Sequence, residues 1–178
     1  MYLEIIQFWF EEASEALWFT KDEQFDALLR ARFSDIHTRA SHCELYSWRQ
    51  SALGCLAEVI ILDQFSRNMF RGRPESFAFD GLALALSQMA IHRGLDRQLT
   101  TQQRSFLYMP FMHSESAEIH KIAVELYGAL GVTKNIQFEY KHKEIIDRFG
   151  RYPHRNEILG RVSTAEEKAF LASPGSGF

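Results

Sequence analysis

From Ala57 to Gly72 the chain passes from one of its most apolar runs into Asp63, Gln64, Arg67, Asn68 and Arg71 without a break. Between Val59 and Leu62 four apolar side chains follow one another. On a helix they cover every side of one turn, so that turn must be enclosed by other elements. The chain therefore has to build its core around Val59–Leu62. The polar continuation, Asp63 to Arg71, is then either a structural lock or the wall of a site. Gly72, with Pro74 after it, marks the end of this helix.

The rest of the chain reads as helices around that centre. Leu3, Ile6, Phe10 and Ala13 recur at helical spacing, and Leu17, Trp18 and Phe19 form an aromatic patch. Thr20 with Glu23 reads as a capping box for a helix carrying Phe25, Leu28, Leu29, Phe33 and Ile36 to about Ala40. Pro74-Glu75-Ser76 opens a further helix that runs to Gly94, and Thr100 with Gln103 caps the next one. Pro110 should kink or end that helix. Ser114 or Ser116 caps a helix closed by Gly128 and Gly131, and residues 134–149 form another, ended by Gly150. Residues 151–161 make a polar loop around Pro153, and Ser163 with Glu166 caps a last short helix to Leu171. No segment sustains strand alternation. The expectation is an all-α, single-domain antiparallel array of about eight helices over residues 1–178, with a flexible C-terminal end from about 172. No helix-pair repeat of about 34 residues recurs at a fixed offset.

Composition narrows the function classes. A formal charge of −3 argues against generic nucleic-acid binding, which needs a basic excess. Cys43 and Cys55 form no C-x-x-C pair, so neither a disulfide framework nor a cysteine zinc site is indicated. Two free thiols, an acidic start and no membrane-length apolar run make a cytoplasmic setting the expectation. No P-loop, G-x-G-x-x-G or G-x-S-x-G motif is present, so no cofactor and no nucleophile are read from the sequence.

Arginine is the residue that stands out. Arg67, Arg71 and Arg73 lie at the end of the central helix, and Arg148, Arg151, Arg155 and Arg161 in or beside the late loop. The planar guanidinium fork suits bidentate recognition of carboxylate or phosphate. Two arginine corners could form an anion pocket, or they could simply pair with acids of the same chain and tie it together. Asp63 and Arg67, Gln64 and Asn68, and Arg67 and Arg71 are each four residues apart, so Asp63 can orient Arg67 while Arg67 and Arg71 point to one end. His113 and Glu115, just after Pro110, are the candidates for acid–base work. His113, Glu115, His120 and His142 lack metal-ligand spacing, so no metal is expected. His154 is expected to pack within the arginine corner, and His37, His42 and His92 at the surface. Trp9, Phe10, Trp18, Phe19, Phe65 and Phe70 read first as core and second as the lining of an apolar pocket.

The same residues carry a resemblance. Asp63-Gln64-Phe65-Ser66-Arg67-Asn68 with Phe70-Arg71-Gly72, and then Phe77-Ala78-Phe79-Asp80, look like the hallmark of a bacterial family known as domain of unknown function 924. Tyr108 to Glu115, Phe149 to Asn156, Leu159-Gly160-Arg161 and Pro174-Gly175-Ser176 match it too, so the resemblance covers essentially the whole chain. Proline is usual where this chain has Ser66; the serine leaves the helix continuous there. The resemblance implies a tetratricopeptide-like helical fold and supplies no reaction, substrate or cofactor.

Three functions follow as expectations. The first is binding of an anionic small molecule or acidic peptide end by Arg67, Arg71, Arg155 and Arg161. Asp63 and Asp80 would orient these arginines, and Gln64, Asn68, His113, Glu115, His154 and Asn156 would lie beside them. The second is a protein–protein interaction module presenting a helical face. The third is a hydrolase with His113 as general acid or base.

Overall fold

The computed structural model describes residues 1–173, so the expected flexible end lies, from residue 174 on, outside the described residues. The chain is all-α, with no strand among the described residues. Helix α1 (Tyr2–Gln7) runs directly into a π-helical turn, Phe8–Glu12, and a 3-10 turn, Glu15–Leu17, precedes α2 (Glu23–Ser41). After a 3-10 turn at Tyr46–Gln50, α3 (Ala52–Ile60) continues through a second π-helical turn, Ile61–Phe65, into α4 (Ser66–Met69). Then follow α5 (Asp80–His92), α6 (Thr101–Met112), α7 (Ala117–Leu130), α8 (Thr133–Phe149) and α9 (Ala165–Leu171).

Several element ends differ from the sequence expectation, each for a local reason. Asp22, not Thr20, caps α2, its carboxylate accepting the Phe25 N–H at 2.8 Å. Thr164 and Glu167, one residue beyond the expected pair, form the capping box of α9. Pro74–Ser76 makes only a 3-10 turn, and the helix begins at Asp80. Pro110 lies inside α6 and cannot donate to the carbonyl four residues back, and the helix ends two residues later, at Met112.

The chain divides into two compact units, Met1–Arg71 with Glu75–Pro110, and Gly72–Pro74 with the chain from Phe111 onward. In the first unit α1 and α5 pack on α3, while α2 packs on the second π turn and α4. Val59, Ile60, Ile61 and Leu62 are each fully buried there, and enclosing each contributes about 2 kcal/mol. Trp9, Phe25, Phe33, Phe65 and Phe106 fill the space around them. In the second unit α7 and α8 pair through the short turn at Gly131, whose φ of +75° is the left-handed value a glycine adopts without strain. Ile145, Ile146 and Tyr152 form the core of this unit, with Phe149 and Phe170 against it.

Candidate functional site

The central helix reaches its polar end through the Ile61–Phe65 π turn, an irregularity often found where side chains must be re-aimed. Asp63, on that turn, is fully buried, with Oδ1 3.0 Å from Arg67 Nη1. Gln64 Nε2 donates to Asp63 Oδ2 at 2.5 Å and lies 3.2 Å from Met109 Sδ. Arg67 also makes a bidentate pair with Asp80, the first residue of α5, at 2.9 and 3.0 Å, and lies over the Phe77 ring. Arg71 does not follow Arg67. Its Nε and Nη2 donate to the Asp26 carboxylate on α2 at 2.7 and 2.9 Å, and Nη2 also reaches Asn68 Oδ1.

Facing this end, α2 presents one stripe of Asp26, Arg30, Phe33 and His37. Arg30 donates to the Met69 carbonyl at 3.1 Å, satisfying a helix-terminal oxygen. His37 corrects the expectation of a surface histidine, being only 4 % exposed because it shares the buried face of Phe33. Its Nε2 lies 2.8 Å from Ser66 Oγ, whose own proton goes to the Leu62 carbonyl, so Nε2–H is the donor. Burial holds the His37 pKa down to about 4, so the ring is neutral near pH 7. Ser66 keeps the helix continuous and supplies the acceptor that this buried histidine needs.

The second unit is organised around Tyr152, which is fully buried. Its hydroxyl donates to the Met112 carbonyl at 2.5 Å and lies 3.2 Å from His120 Nε2. Arg155 stacks its guanidinium over the Tyr152 ring at 4.5 Å and donates to the His113 carbonyl at 3.0 Å. Arg161 grips Glu115 with Nη1 and Nη2 at 2.6 and 2.9 Å, Asn156 Oδ1 with Nε at 2.9 Å, and the Tyr152 carbonyl at 3.2 Å. Burial by itself would raise the Glu115 pKa. The Arg161 fork, the Tyr152 amide and nearby Arg155 outweigh it and hold the carboxyl below its ordinary range. Asn156 is fully buried and also donates to Ser163 Oγ, while the half-buried His154 packs on Tyr152 with ring centres 5.6 Å apart.

Behind Tyr152 lies a second polar layer. His120 and Glu139 are both fully buried, with Nδ1 and Oε1 2.7 Å apart, and His120 Nε2 donates to the Ser114 carbonyl at 2.9 Å. Burial raises the Glu139 pKa against the pull of His120. His142 donates from Nδ1 to the Phe138 carbonyl at 2.8 Å and meets the Tyr152 ring edge-on. Among the described residues no group of three or more His, Cys, Asp or Glu is placed to hold a metal ion.

Within each unit, then, Arg67 holds Asp63 and Asp80, Arg71 holds Asp26 and Arg161 holds Glu115, while Arg155 lies over Tyr152 and donates to the His113 carbonyl. A family profile described as bacterial protein of unknown function, DUF924, matches residues 5–175. The chain belongs to this family. A solved protein of unknown function from Agrobacterium tumefaciens is 38 % identical to it, with 96 % of each chain covered and a TM-score of 0.91. No curated protein matches the chain. Membership of the DUF924 family thus accounts for the fold and leaves the chemistry to be argued from the side chains.

Four participants escape a reading of the sequence. Asp26 and His37 follow the helical period of Phe33, so position along α2 is the signal that would have found them. Tyr152 sits in the expected polar loop and is instead the buried hub. Glu139 has no local signal, because its partner His120 is on the preceding helix.

Proposed function

We propose that the protein is a tetratricopeptide-like interaction module that docks a basic amphipathic segment of a partner protein on an aromatic face of the first unit. The observation that carries this reading is Phe19, which is 70 % exposed yet already ordered by other rings. Its ring lies parallel to buried Phe106 and edge-on to Trp18, each at 6.3 Å. Trp18 in turn meets Phe106 at 4.8 Å and Phe10 at 5.9 Å, and its indole N–H donates to the Trp9 carbonyl at 3.0 Å. Single exposed apolar residues need no explanation. A pre-stacked aromatic surface is different, because rigid aromatic anchors that lose little entropy on docking dominate protein interfaces.

The rim supplies the sign of the partner. Of the five carboxylates between Glu11 and Glu23, Glu12 is paired with Arg32 and Asp22 caps α2, while Glu11, Glu15 and Glu23 are exposed in a stretch with one lysine, Lys21. Such a rim favours a cationic segment and repels an acidic one. Two synthetic amphipathic peptides with one leucine pattern, bearing lysines or glutamates on the polar face, test this by calorimetric titration. The lysine peptide is expected to bind at least about tenfold tighter, with affinity falling in salt and lost in Phe19→Ala. Equal affinities, or indifference to Phe19→Ala, would overturn the reading.

A second reading, an anionic small molecule or acidic peptide end at the arginines, keeps one specific support. Arg71 binds Asp26 and Asn68 through Nε and Nη2, which leaves Nη1 outside those bonds on a side chain one-third exposed. A phosphate or carboxylate that raises the unfolding temperature in wild type but not in Arg71→Ala would favour it. The hydrolase reading draws less support, since Glu115 beside His113 is held by Arg161 and the Tyr152 amide. The free thiols of Cys43 and Cys55 support a cytoplasmic setting.

A further inference from the structure

We propose that the second unit carries an acid-sensitive latch, in which protonation of His142 on the inner face of α8 loosens the packing of α8 against Tyr152 and the 150–161 loop. This device is separate from the docking face and stands whether or not that face binds a partner.

His142 is 6 % exposed. Its Nδ1 carries the proton given to the Phe138 carbonyl, so Nε2 is the atom that must accept a second proton. Titratable and charged groups stand on each of the elements around it. From α7 comes His120, paired with Glu139 of α8. From the turn before α7 come His113, whose carbonyl is held by Arg155, and Glu115, held by Arg161. From the loop come His154, packed on Tyr152, and Arg155, stacked over the same ring. On α8 itself, Lys143 is paired with Asp147. A positive charge arriving on buried His142 meets buried His120 and the half-buried His113 and His154.

Burial, and then His113, His120 and His154, hold the His142 pKa down to about 3 against the opposing pull of the Phe138 carbonyl. Once the latch opens, the ring recovers its ordinary value of 6.5. Above pH 6.5 the ring is neutral in both states and pH has no effect through it. Below 6.5 the open form takes a proton that the closed form refuses, and the opening constant rises about tenfold per pH unit until about pH 3. Between pH 7.5 and 4.5 the rise is on the order of 100-fold.

Hydrogen exchange on the full chain at these two pH values, with each rate divided by its intrinsic rate, reads the opening constant directly. In wild type, amides of α8 and of residues 150–161 are expected to open 10- to 100-fold more readily at pH 4.5, on the order given by the linkage relation. His142→Asn keeps a donor for the Phe138 carbonyl and cannot titrate, so most of that rise should vanish. An equal rise in wild type and His142→Asn would overturn the latch. So would loss of the rise in His37→Gln, because the event would then be global unfolding. Should His142→Asn fail to fold, the wild-type His142 ring followed by NMR decides the matter. A ring that stays neutral below pH 4.5 in the closed form supports the proposal, and a midpoint near 6.5 overturns it.

Discussion

Replacing Arg161 by alanine is the sharpest test of whether the late arginine corner holds the second unit together. The side chain makes four contacts at 3.2 Å or less: two to Glu115, one to Asn156 and one to the Tyr152 carbonyl. Arg161 and Glu115 are 24 % and 26 % exposed, which places the pair between a surface bridge and a buried one. A surface pair contributes under about 1 kcal/mol, and breaking a buried pair costs about 3–5 kcal/mol. The fork geometry and the Asn156 oxygen that loses its donor put Arg161→Ala at about 3 kcal/mol, the Tyr152 carbonyl keeping the Arg155 N–H. For a chain of this size that corresponds to a fall of about 6–12 °C in the unfolding midpoint. Arg161→Lys keeps the charge and loses the fork, so it should cost about 2 kcal/mol. Urea denaturation of Arg161→Ala, Glu115→Gln and the double variant gives the coupling, expected to exceed about 1 kcal/mol. The pair also has a pH signature. Because the folded Glu115 pKa lies below its ordinary 4.5, the contribution is present above about 4.5 and lost as pH falls through the folded value. A cost under about 1 kcal/mol for Arg161→Ala, with no coupling to Glu115, would refute the assignment of this corner as a lock.

Other substitutions test other parts of the account. A Cβ at Gly54 would lie 2.1 Å from the Trp48 carbonyl oxygen and 2.8 Å from Ser51 Oγ. Gly54→Ala should therefore lose more than about 2 kcal/mol in urea, although alanine is favoured in helices by about 1 kcal/mol. Ser66→Ala removes the acceptor of the buried His37 Nε2–H and should cost about 1–3 kcal/mol; stability within about 0.5 kcal/mol of wild type would contradict that bond. Phe19→Ala should change stability by less than about 1 kcal/mol while abolishing peptide binding, since the ring is mostly in water. Whole-chain stability should begin to fall below pH 6.5, because His37 and His142 refuse protons that the unfolded chain accepts. Their folded values of about 4 and about 3 predict a loss of about 3–4 kcal/mol between pH 7 and 5, measurable from urea midpoints.

The central turn was legible because it depends on pattern alone: four apolar residues in succession leave no side for water, and Val59–Leu62 are fully buried. Capping residues moved by one or two positions, since Thr20 and Asp22, or Ser163 and Thr164, offer nearly equivalent oxygens and packing decides between them. The π turns were not legible. They depend on how α1 and α3 meet their neighbours, and no residue type marks them. At the candidate site the arginines and their acids stood out by type, but their pairing did not. Arg71 finds Asp26 at a sequence distance of 45, and Arg161 finds Glu115 at 46, through packing that local spacing does not encode. His37 is polar by type but buried by its position on the Phe33 face, and only the packing of α2 shows which of the two decides.

The central claim is that the arginine corners hold the fold together and that recognition occurs at the aromatic face. Chemical-shift mapping of the 15N-labelled chain titrated with the lysine-bearing amphipathic peptide tests it most directly. The account predicts perturbations concentrated at the Trp18 indole N–H and the amides around Phe10, Phe19 and Phe106, with the guanidinium signals of Arg67, Arg71, Arg155 and Arg161 unmoved. Perturbations centred on those arginines instead, or appearing only with the glutamate peptide, would contradict it.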